Sequence, residues 1–351
     1  MAADPPIDPQ LAARMRAWVR RELRARVETL DAIPGQLGAR RFYRVHLAGG
    51  PAPTLIARVD RPEDPRGRPP GTAAEPPLEP IRALLERSGC PVPRRFGADS
   101  EFGIEWLEDV GDVSLAQAVA DAPAEALRRL YAEACGIVAK IQDVADPGDV
   151  AAFGRRLDPA LFAFKADLFT RFALRAGGRH PGQGEAAVVA AAFARVEAAC
   201  AEAPHRLAHR DFQSANLHCV PGRGLVMIDL QGAFLAPPEY DLVCLLRDSY
   251  VTLPEAEITA QCDAIRERLP DAPSAEDFAR RFDLLTLTRK GKDLARFHQA
   301  AEERGDRRYL RYAAGTLRHI AAAAERAAQR DSPLRDFATL CRELEAAPCA
   351  E

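Results

Sequence analysis

Four polar residues in one short segment have the types and spacing that phosphoryl transfer requires. His209 and Asp211 are separated by one residue, Asn216 follows, and a short apolar run then leads to Asp229. An aspartate can accept the proton of a hydroxyl nucleophile, and carboxylate and amide oxygens suit Mg²⁺ that carries phosphates. The pattern therefore predicts a kinase-type site with Asp211 as the base and with Asn216 and Asp229 as metal ligands.

Other interpretations of this segment are open. A turn rich in Asp and Asn has the same residue types without any chemistry. The apolar run before Asp229 favours the chemical interpretation, because a strand that ends in Asp aims its carboxylate past the strand end. His209 is expected to anchor the loop by packing and hydrogen bonding. Asp241, further along, is expected to cap the next helix or to tie down the loop.

Residues 1–107 are predicted to form a small α+β lobe. Apolar residues recur every four positions within residues 8–30, which predicts an amphipathic helix there. Strands are predicted over residues 41–47 and 54–60, joined by a Gly- and Pro-rich turn. The segments PVPRRF and GIEWLE are expected to add two strands, with the short helix IRALLERSG before them.

Residues 108–351 are predicted to form a second, mostly helical lobe. Helices rich in Ala and Leu are expected over residues 114–145 and 186–203, and nearly everything after Asp241 has helical patterning. One short strand pair around Pro-Gly-Arg-Gly, within residues 220–230, interrupts the helices. This lobe therefore carries the whole segment with the kinase-type spacing.

The segment LAHRDFQSANLHCVPGRGLVMIDLQG, residues 207–232, resembles the aminoglycoside phosphotransferase and choline kinase group. That group shares the protein-kinase-like fold, so the resemblance implies a bilobal α+β fold with a small β-rich N-lobe and a larger helical C-lobe. It also implies ATP and Mg²⁺ as cofactors. In the group, the residues that match Asp211, Asn216 and Asp229 are the catalytic base and the two metal ligands.

Two further segments narrow the resemblance. PPEYDLVCLLRDSY, residues 237–250, and LTRKGKDLARFHQAAEERGDRRYL, residues 287–310, resemble bacterial anomeric sugar kinases. Those enzymes phosphorylate N-acetylmuramate and N-acetylglucosamine at C1 during cell-wall recycling, which implies a small-molecule amino-sugar substrate. Aminoglycoside-type and choline-type kinases are alternatives of the same class. A catalytically weak pseudokinase is the alternative from another class, and the intact Asp211, Asn216 and Asp229 argue against it.

The first lobe is expected to bind the nucleotide. Gly35 and Gly38 lie within PGQLGARRFYRV, where the group places its phosphate-covering loop, and glycine lets backbone N–H groups approach phosphate oxygens. Because this lobe contains no lysine, Arg58 is the candidate for the cation that contacts phosphates in kinases.

Two more expectations about the nucleotide site follow from the kinase resemblance. Either Glu75 or Glu79 is expected to pair with the cation at Arg58. Backbone groups near Leu107 and Glu108, within GIEWLEDVGD, are expected to contact adenine.

The acceptor is expected to contact residues near the catalytic segment. Gln213 and Gln231 are candidates for hydrogen bonds to sugar hydroxyls, and Arg247 is a candidate for a substrate contact or for an ion pair between helices. Between Leu284 and His319 there are nine Lys and Arg residues against four Asp and Glu residues. Because aminoglycosides are polycations, this basic region suits an anionic acceptor, such as a sugar with a lactyl carboxylate, better than an aminoglycoside, and a merely solvated basic face is the alternative interpretation.

Composition argues against several other classes. With 351 residues, 47% of them hydrophobic, the chain can bury large cores, and its net charge of −3 provides no basic field for nucleic acid. No apolar run reaches the roughly 18 residues that a bilayer span needs. The eight cysteines form no CxxC pair, as expected for buried thiols in a reducing compartment. We therefore expect a cytoplasmic protein with neither nucleic-acid nor membrane partners, whose oligomeric state stays open.

Overall fold

The computed structural model describes residues 7–34, 40–60 and 74–346. Gly35 and Gly38 lie outside the described residues, so the expected phosphate-covering loop stays a prediction. Among the described residues, no helix combines the length and the apolar character that crossing a membrane would need.

The first of two compact units comprises Met1–Ala74 and Val92–Asp112. Its elements are α1 (Pro9–Trp18), β1 (Arg26–Ile33), β2 (Arg41–Ala48), β3 (Thr54–Val59), β4 (Arg95–Asp99) and β5 (Ile104–Glu108). The strands form one antiparallel sheet in the order β1-β2-β3-β5-β4. Three of the four strands predicted between residue 41 and residue 108 are thereby confirmed as β2, β3 and β5, whereas β4 shares only Arg95 and Phe96 with the predicted strand PVPRRF.

The core of this unit lies between α1 and one face of the sheet. Alternate residues of β2, among them Tyr43 and Val45, are buried, which is the period-two pattern of a sheet with one covered face. Trp18 of α1 stacks on Trp106 of β5 with ring centroids 4.6 Å apart. Such an offset stack adds to the hydrophobic stabilisation of both indoles.

The predicted helix over residues 8–30 is correct only in its first half. α1 continues into one π-helical turn at Val19–Leu23, and the helical path ends at Arg24, which has a left-handed φ of 52°. Beyond it, β1 pairs with β2. The strand formers within RVETLDAI pair with β2 there, with one shift of register between Val27 and Leu30, and this pairing outweighs the helical apolar spacing.

The second unit comprises Glu75–Pro91 and Val113–Glu351. Its helices are α2 (Leu78–Arg87), α3 (Leu115–Val119), α4 (Ala124–Gln142), α5 (Pro159–Leu168), α6 (Gln183–Ala201), α7 (Glu239–Leu246), α8 (Glu255–Arg266), α9 (Ala275–Arg304), α10 (Ala313–Arg330) and α11 (Arg335–Ala346). Its strands are β6 (Arg206–Ala208), β7 (Leu217–Val220), β8 (Gly224–Met227) and β9 (Phe234–Ala236). The mostly helical character and the interrupting strand pair are confirmed.

Two small antiparallel sheets of this unit position the catalytic segment. β6 pairs with β9, and β7 pairs with β8 in a hairpin. The loop from β6 to β7 contains Asp211 and Asn216, and Asp229 follows β8 after one residue. The hairpin is itself held in place, since the backbone N–H of Met227 donates to the carbonyl of Pro91 at 2.9 Å.

The long helix α9 crosses the middle of the second unit. It packs against α6 and the turn that follows α5, where Phe169 and Phe193 lie with ring centroids 6.0 Å apart. Gly291 of α9 makes this approach close, because a Cβ built on it would lie 3.1 Å from each ring. The position of α9 is therefore fixed by tight apolar packing.

Candidate active site

The loop that carries Asp211 is anchored by a buried carboxylate on α7. The backbone N–H groups of His209 and Arg210 donate to Asp241 at 2.6 and 3.1 Å. Nε2 of His209 lies 2.8 Å from the carbonyl oxygen of Ile228, and the His209 side chain is buried. Both sequence-based expectations are confirmed: Asp241 ties down the loop, and His209 anchors it by packing and hydrogen bonding.

Hydrogen bonds join the three predicted catalytic positions into one segment. The side-chain amide of Asn216 donates to the carbonyl of Asp211 at 2.9 Å. The backbone N–H of Ile228 donates to the carbonyl of Asn216 at 3.0 Å, so the residue before Asp229 is fixed beside Asn216. Asp229 itself has a left-handed φ of 66°, a conformation that Asp tolerates better than most residues.

Asn216 and Asp229 have the donor chemistry for a magnesium ion. Asn216 uses its NH₂ group on Asp211, which directs its side-chain oxygen away from that bond, and Asp229 supplies a carboxylate. Among the residues that the structure describes, no group of three His, Cys, Asp or Glu side chains forms a metal cage. Two oxygen donors fit Mg²⁺ that keeps water and phosphate oxygens as its other ligands.

Two cations from α9 hold the carboxylate of Asp211. Nη2 of Arg289 lies 2.9 Å and Nζ of Lys292 lies 3.1 Å from the same oxygen, Oδ1. Arg289 is fully buried, whereas 28% of the Asp211 side chain is exposed. Since Arg289 and Lys292 are three positions apart on a helix, they share one face, and both reach one carboxylate oxygen.

The same helix supplies a countercharge. Asp293 accepts a charge-assisted hydrogen bond from Arg289, and its other oxygen lies 2.7 Å from Nζ of Lys290. The amide of Gln213 also donates to Asp293, at 3.3 Å. Although burial acts to raise the pKa of Asp293, the charges of Arg289 and Lys290 lower it to about 2. The predicted acceptor contact Gln213 thus lies next to this buried ion-pair network.

The electrostatic surroundings keep Asp211 ionised. Burial alone would raise its pKa, but the positive charges of Lys292, Arg289 and Arg210 outweigh burial and hold the pKa well below the ordinary value for Asp. Asp211 is consequently a carboxylate at every physiological pH. It is also a weak base, because the same charges disfavour protonation.

A fourth cation of this region is buried without a hydrogen bond. Lys165 of α5 is 2% exposed, and Nζ has no acceptor among the residues that the structure describes. Its ammonium lies over the rings of Phe162 and Tyr240, 5.3 and 5.5 Å from their centroids. Burial, reinforced by the charges of Lys292 and Arg289, lowers the pKa of Lys165 to about 7.

Two predicted acceptor residues have partners within the protein. The amide of Gln231 donates to Oδ1 of Asp229 at 2.6 Å, so Gln231 orients the proposed metal ligand. Arg247 is buried and makes an ion pair with Glu255, in which Nη2 and Oε2 are 2.8 Å apart. The ion pair expected as the alternative for Arg247 is present, and sugar contacts by Gln231 and Arg247 stay predictions.

The predicted nucleotide residues of the first unit lie on β3 and β5. Arg58 is buried on β3, with Nη2 2.8 Å from a carboxylate oxygen of Asp60. On β5, the backbone N–H of Glu108 donates to the carbonyl of Arg94 at 2.8 Å, and its side chain accepts from the N–H of Arg94 at 3.0 Å. The N–H of Glu108 therefore already has a partner, while Leu107 pairs with β3 and β4.

The two glutamates expected beside Arg58 belong to the second unit. Glu75 lies 3.5 Å from Nη1 of Arg210, the residue before the base. Glu79 accepts from Nε of Arg82 at 2.7 Å, within one turn of α2. The pairing of either glutamate with Arg58 stays a prediction.

Sequence reasoning missed the residues that surround the base. Arg289, Lys292 and Lys165 received no individual role, although three of the four lysines in the chain are Lys165, Lys290 and Lys292. The available signal was the cluster RKGKD in an otherwise apolar stretch of helix. A basic helix face is usually solvated, and only the packing of α9 shows that Arg289 and Lys290 are buried.

Comparisons with known proteins identify the family of the chain. The sequence model of the phosphotransferase enzyme family matches residues 29–278. The chain is 28% identical over 244 residues to a protein of Pseudomonas aeruginosa named N-acetylmuramate/N-acetylglucosamine kinase, covering 67% of this chain and 69% of the relative. A protein of Pseudomonas putida with the same name is 27% identical, covering 67% and 68%.

Solved structures show the same fold at low sequence identity. Choline kinase LicA from Streptococcus pneumoniae superposes with a TM-score of 0.57 and 15% identity, covering 89% of this chain and 99% of that one. An ADP-bound aminoglycoside phosphotransferase superposes with a TM-score of 0.55 and 12% identity, covering 90% and 99%. The protein-kinase-like α+β fold predicted from the sequence is thereby confirmed.

Proposed function

The chain belongs to the phosphotransferase enzyme family, and we propose that it transfers the γ-phosphoryl group of ATP to the anomeric hydroxyl of N-acetylmuramate, N-acetylglucosamine or both. The observation that carries this proposal is the ionised carboxylate of Asp211, joined by hydrogen bonds to the segment with Asn216 and Asp229. The names of the two Pseudomonas relatives support the choice of acceptor.

In the proposed reaction, Asp211 orients the sugar hydroxyl and accepts its proton. The sugar oxygen forms a bond to the γ-phosphorus, the bond from that phosphorus to the β-phosphate oxygen breaks, and ADP leaves. Oδ2 is the oxygen proposed for this contact, because Arg289 and Lys292 both bind Oδ1. Asn216 and Asp229 would hold Mg²⁺, which neutralises phosphate charge when bound.

The weak basicity of Asp211 favours an acidic hydroxyl as the acceptor. The hydroxyl of a hemiacetal is more acidic than that of an ordinary alcohol, so less proton affinity is needed at the base. Phosphoryl transfer through a loose transition state also asks mainly for placement of the nucleophile. A carboxylate with a strongly lowered pKa can therefore serve an anomeric hydroxyl.

The positive charge beside Asp211 disfavours the polycationic alternative. Arg289, Lys292 and Arg210 all act on the same carboxylate, and an aminoglycoside would bring further ammonium groups towards them. A pseudokinase would gain nothing from an ionised acid at this place. Both alternatives are decided by the same assay.

The test is turnover of the purified protein with Mg-ATP on four acceptors: N-acetylmuramate, N-acetylglucosamine, kanamycin and choline. We expect one reducing end lost per ADP formed with at least one amino sugar, and a sugar 1-phosphate signal in ³¹P NMR. Protein with the substitution Asp211→Asn, purified identically, controls for a contaminating kinase. Retained reducing ends would contradict the anomeric assignment, and turnover only on kanamycin or choline would replace the proposed acceptor.

A further inference from the structure

Within the part of the chain that the structure describes, the cations of this region do not all have a carboxylate partner. Asp293 pairs with Arg289 and Lys290, and Asp211 is shared by Arg289 and Lys292. Lys165 makes no ion pair with any residue in the described part of the chain. Its ammonium lies 5.5 Å from the ring centroid of Tyr240, and the next residue, Asp241, holds the loop that carries Asp211.

A buried ammonium without a counterion is costly in free energy. The rings of Phe162 and Tyr240, over which the ammonium of Lys165 lies, offset only part of that cost. The protein thus holds, on α5 where this helix packs on α9, an amine that no carboxylate of the described residues neutralises and whose charged form an anion brought by a ligand would stabilise. Lys292 contacts Asp211, and 23% of its side chain is exposed to solvent.

The structure assigns this anion to the acceptor: we propose that Lys165 and Lys292 bind the carboxylate of the acidic amino sugar and make the enzyme select it over the neutral one. This inference rests on the proposed function. N-acetylmuramate differs from N-acetylglucosamine by a lactyl ether at C3, two ring carbons from the reacting C1. A carboxylate on that arm would lie beside the base when the anomeric hydroxyl contacts Asp211.

The acceptor is favoured over the nucleotide as the source of the anion. Asn216 and Asp229 are the oxygen donors suited to the metal that accompanies phosphates, and they lie on the loop and hairpin rather than on α5 or α9. Lys165 and Lys292 come from α5 and α9, where Gln213, a predicted acceptor contact, also reaches Asp293. The phosphate alternative becomes an outcome of the test.

The kinetic test compares Lys165→Met and Lys292→Gln with wild type on both sugars. We expect each variant to lower kcat/KM for N-acetylmuramate at least tenfold more than for N-acetylglucosamine. Lys140→Met is the matched control, because Lys140 is the one lysine of the chain outside this region and is exposed on α4; it should leave the ratio unchanged. Equal losses on both sugars would overturn the inference, since they would assign Lys165 and Lys292 to the phosphates or to the structure.

A second measurement uses wild-type protein and needs no variant to fold. An anion that binds Lys165 raises the affinity of this amine for a proton, so binding of the anion at pH 8 should be accompanied by proton uptake. Titration calorimetry in two buffers of different ionisation enthalpy measures this uptake. We expect it with N-acetylmuramate but not with N-acetylglucosamine. Equal proton uptake for both sugars would also overturn the inference. If wild type phosphorylates neither sugar, the proposed function itself fails; if it phosphorylates both and the ratio is unchanged in the variants, only this inference fails.

Discussion

Asp211, the proposed base, has one carboxylate oxygen bound by two cations. Arg289 is buried and cannot leave without breaking its bonds to Asp293 and to the sulfur of Cys244, 3.0 Å away. Lys292 is partly exposed and can respond to a ligand. The proposed base therefore contacts one buried cation that is held in place, Arg289, and one partly exposed cation that can move, Lys292.

Replacing Asp211 by Asn should remove the proton acceptor while keeping the shape of the side chain. We expect kcat to fall by roughly 10²–10⁴, the usual range for a general base, with ATP affinity nearly unchanged. Because the pKa of Asp211 is lowered, wild-type kcat should show no loss from protonation of this group between pH 5 and pH 8. Steady-state kinetics and nucleotide titrations check both statements, and near-normal turnover of the variant would remove Asp211 from the reaction.

Asp229→Ala should affect the nucleotide rather than the acceptor. Loss of one of two protein oxygen ligands weakens the binding of Mg²⁺, so we expect Mg-dependent ATP affinity and turnover to decrease together. Calorimetric titration of ATP with and without Mg²⁺ measures this directly. Asp121→Ala, at an exposed position outside the segment, should behave as wild type. A variant of Asp229 that binds Mg-ATP normally would exclude it as a ligand.

At the scale of secondary structure, α9 combines two roles. It carries the cations that surround the base, and it forms part of the apolar core against Phe169 and Phe193. Gly291 lies between Lys290 and Lys292 in the chain and permits the close approach. The packing of the core therefore sets the register at which Arg289 and Lys292 meet Asp211.

Gly291→Ala should disturb stability and activity together. The added Cβ would lie 3.1 Å from two rings, so α9 or the rings must shift, which costs about 1–3 kcal/mol for overpacking. We expect a lower midpoint of denaturant unfolding and a reduced kcat. Gly154→Ala is the control, because a Cβ at this exposed residue meets no atom within 4 Å. Unchanged unfolding of the Gly291 variant would show that α9 is less tightly constrained than its contacts indicate.

At the scale of the whole molecule, the buried Lys165 connects proton binding to global stability. Its pKa is lowered from 10.5 to about 7 in the folded chain. Between these pH values the unfolded chain binds a proton that the native state does not, so this group makes the native state more stable as pH rises. Above the pKa that Lys165 has in the unfolded chain, neither state binds the proton, and the stability no longer changes with pH through this group.

Lys165→Met should remove this dependence on pH. From pH 7 to pH 8.5 the free energy of unfolding of wild type should rise by about 1–2 kcal/mol more than that of the variant. Denaturant melts without sugar at several pH values measure the difference. The pH range of the measurement stops below pH 9. Burial raises the pKa of several thiols, among them Cys90 to about 11, and these groups make the native state less stable as pH rises further. If the unfolding free energies of wild type and variant change in parallel with pH, burial does not disfavour the charged form of Lys165.

Much of the fold and of the site follows from local patterns. The loop with Asp211 and Asn216 and the strand before Asp229 lie within one short segment, whose spacing already predicts their chemistry. Strands β2 and β3 follow from alternating residues and a turn between them. The helix over residues 8–30 was wrong beyond Arg24, because strand pairing with β2 is a contact that local periodicity does not contain.

The sequence by itself determined the family and predicted the kinase-type trio and most of the elements, because each depends on residues close together in the chain. Only the tertiary structure decided what surrounds the base. Arg289 and Lys292 meet Asp211 across 78 and 81 positions of sequence, and Lys165 approaches from a third element. Burial and charge depend on distances through space, and packing of α9 against the aromatic core sets those distances.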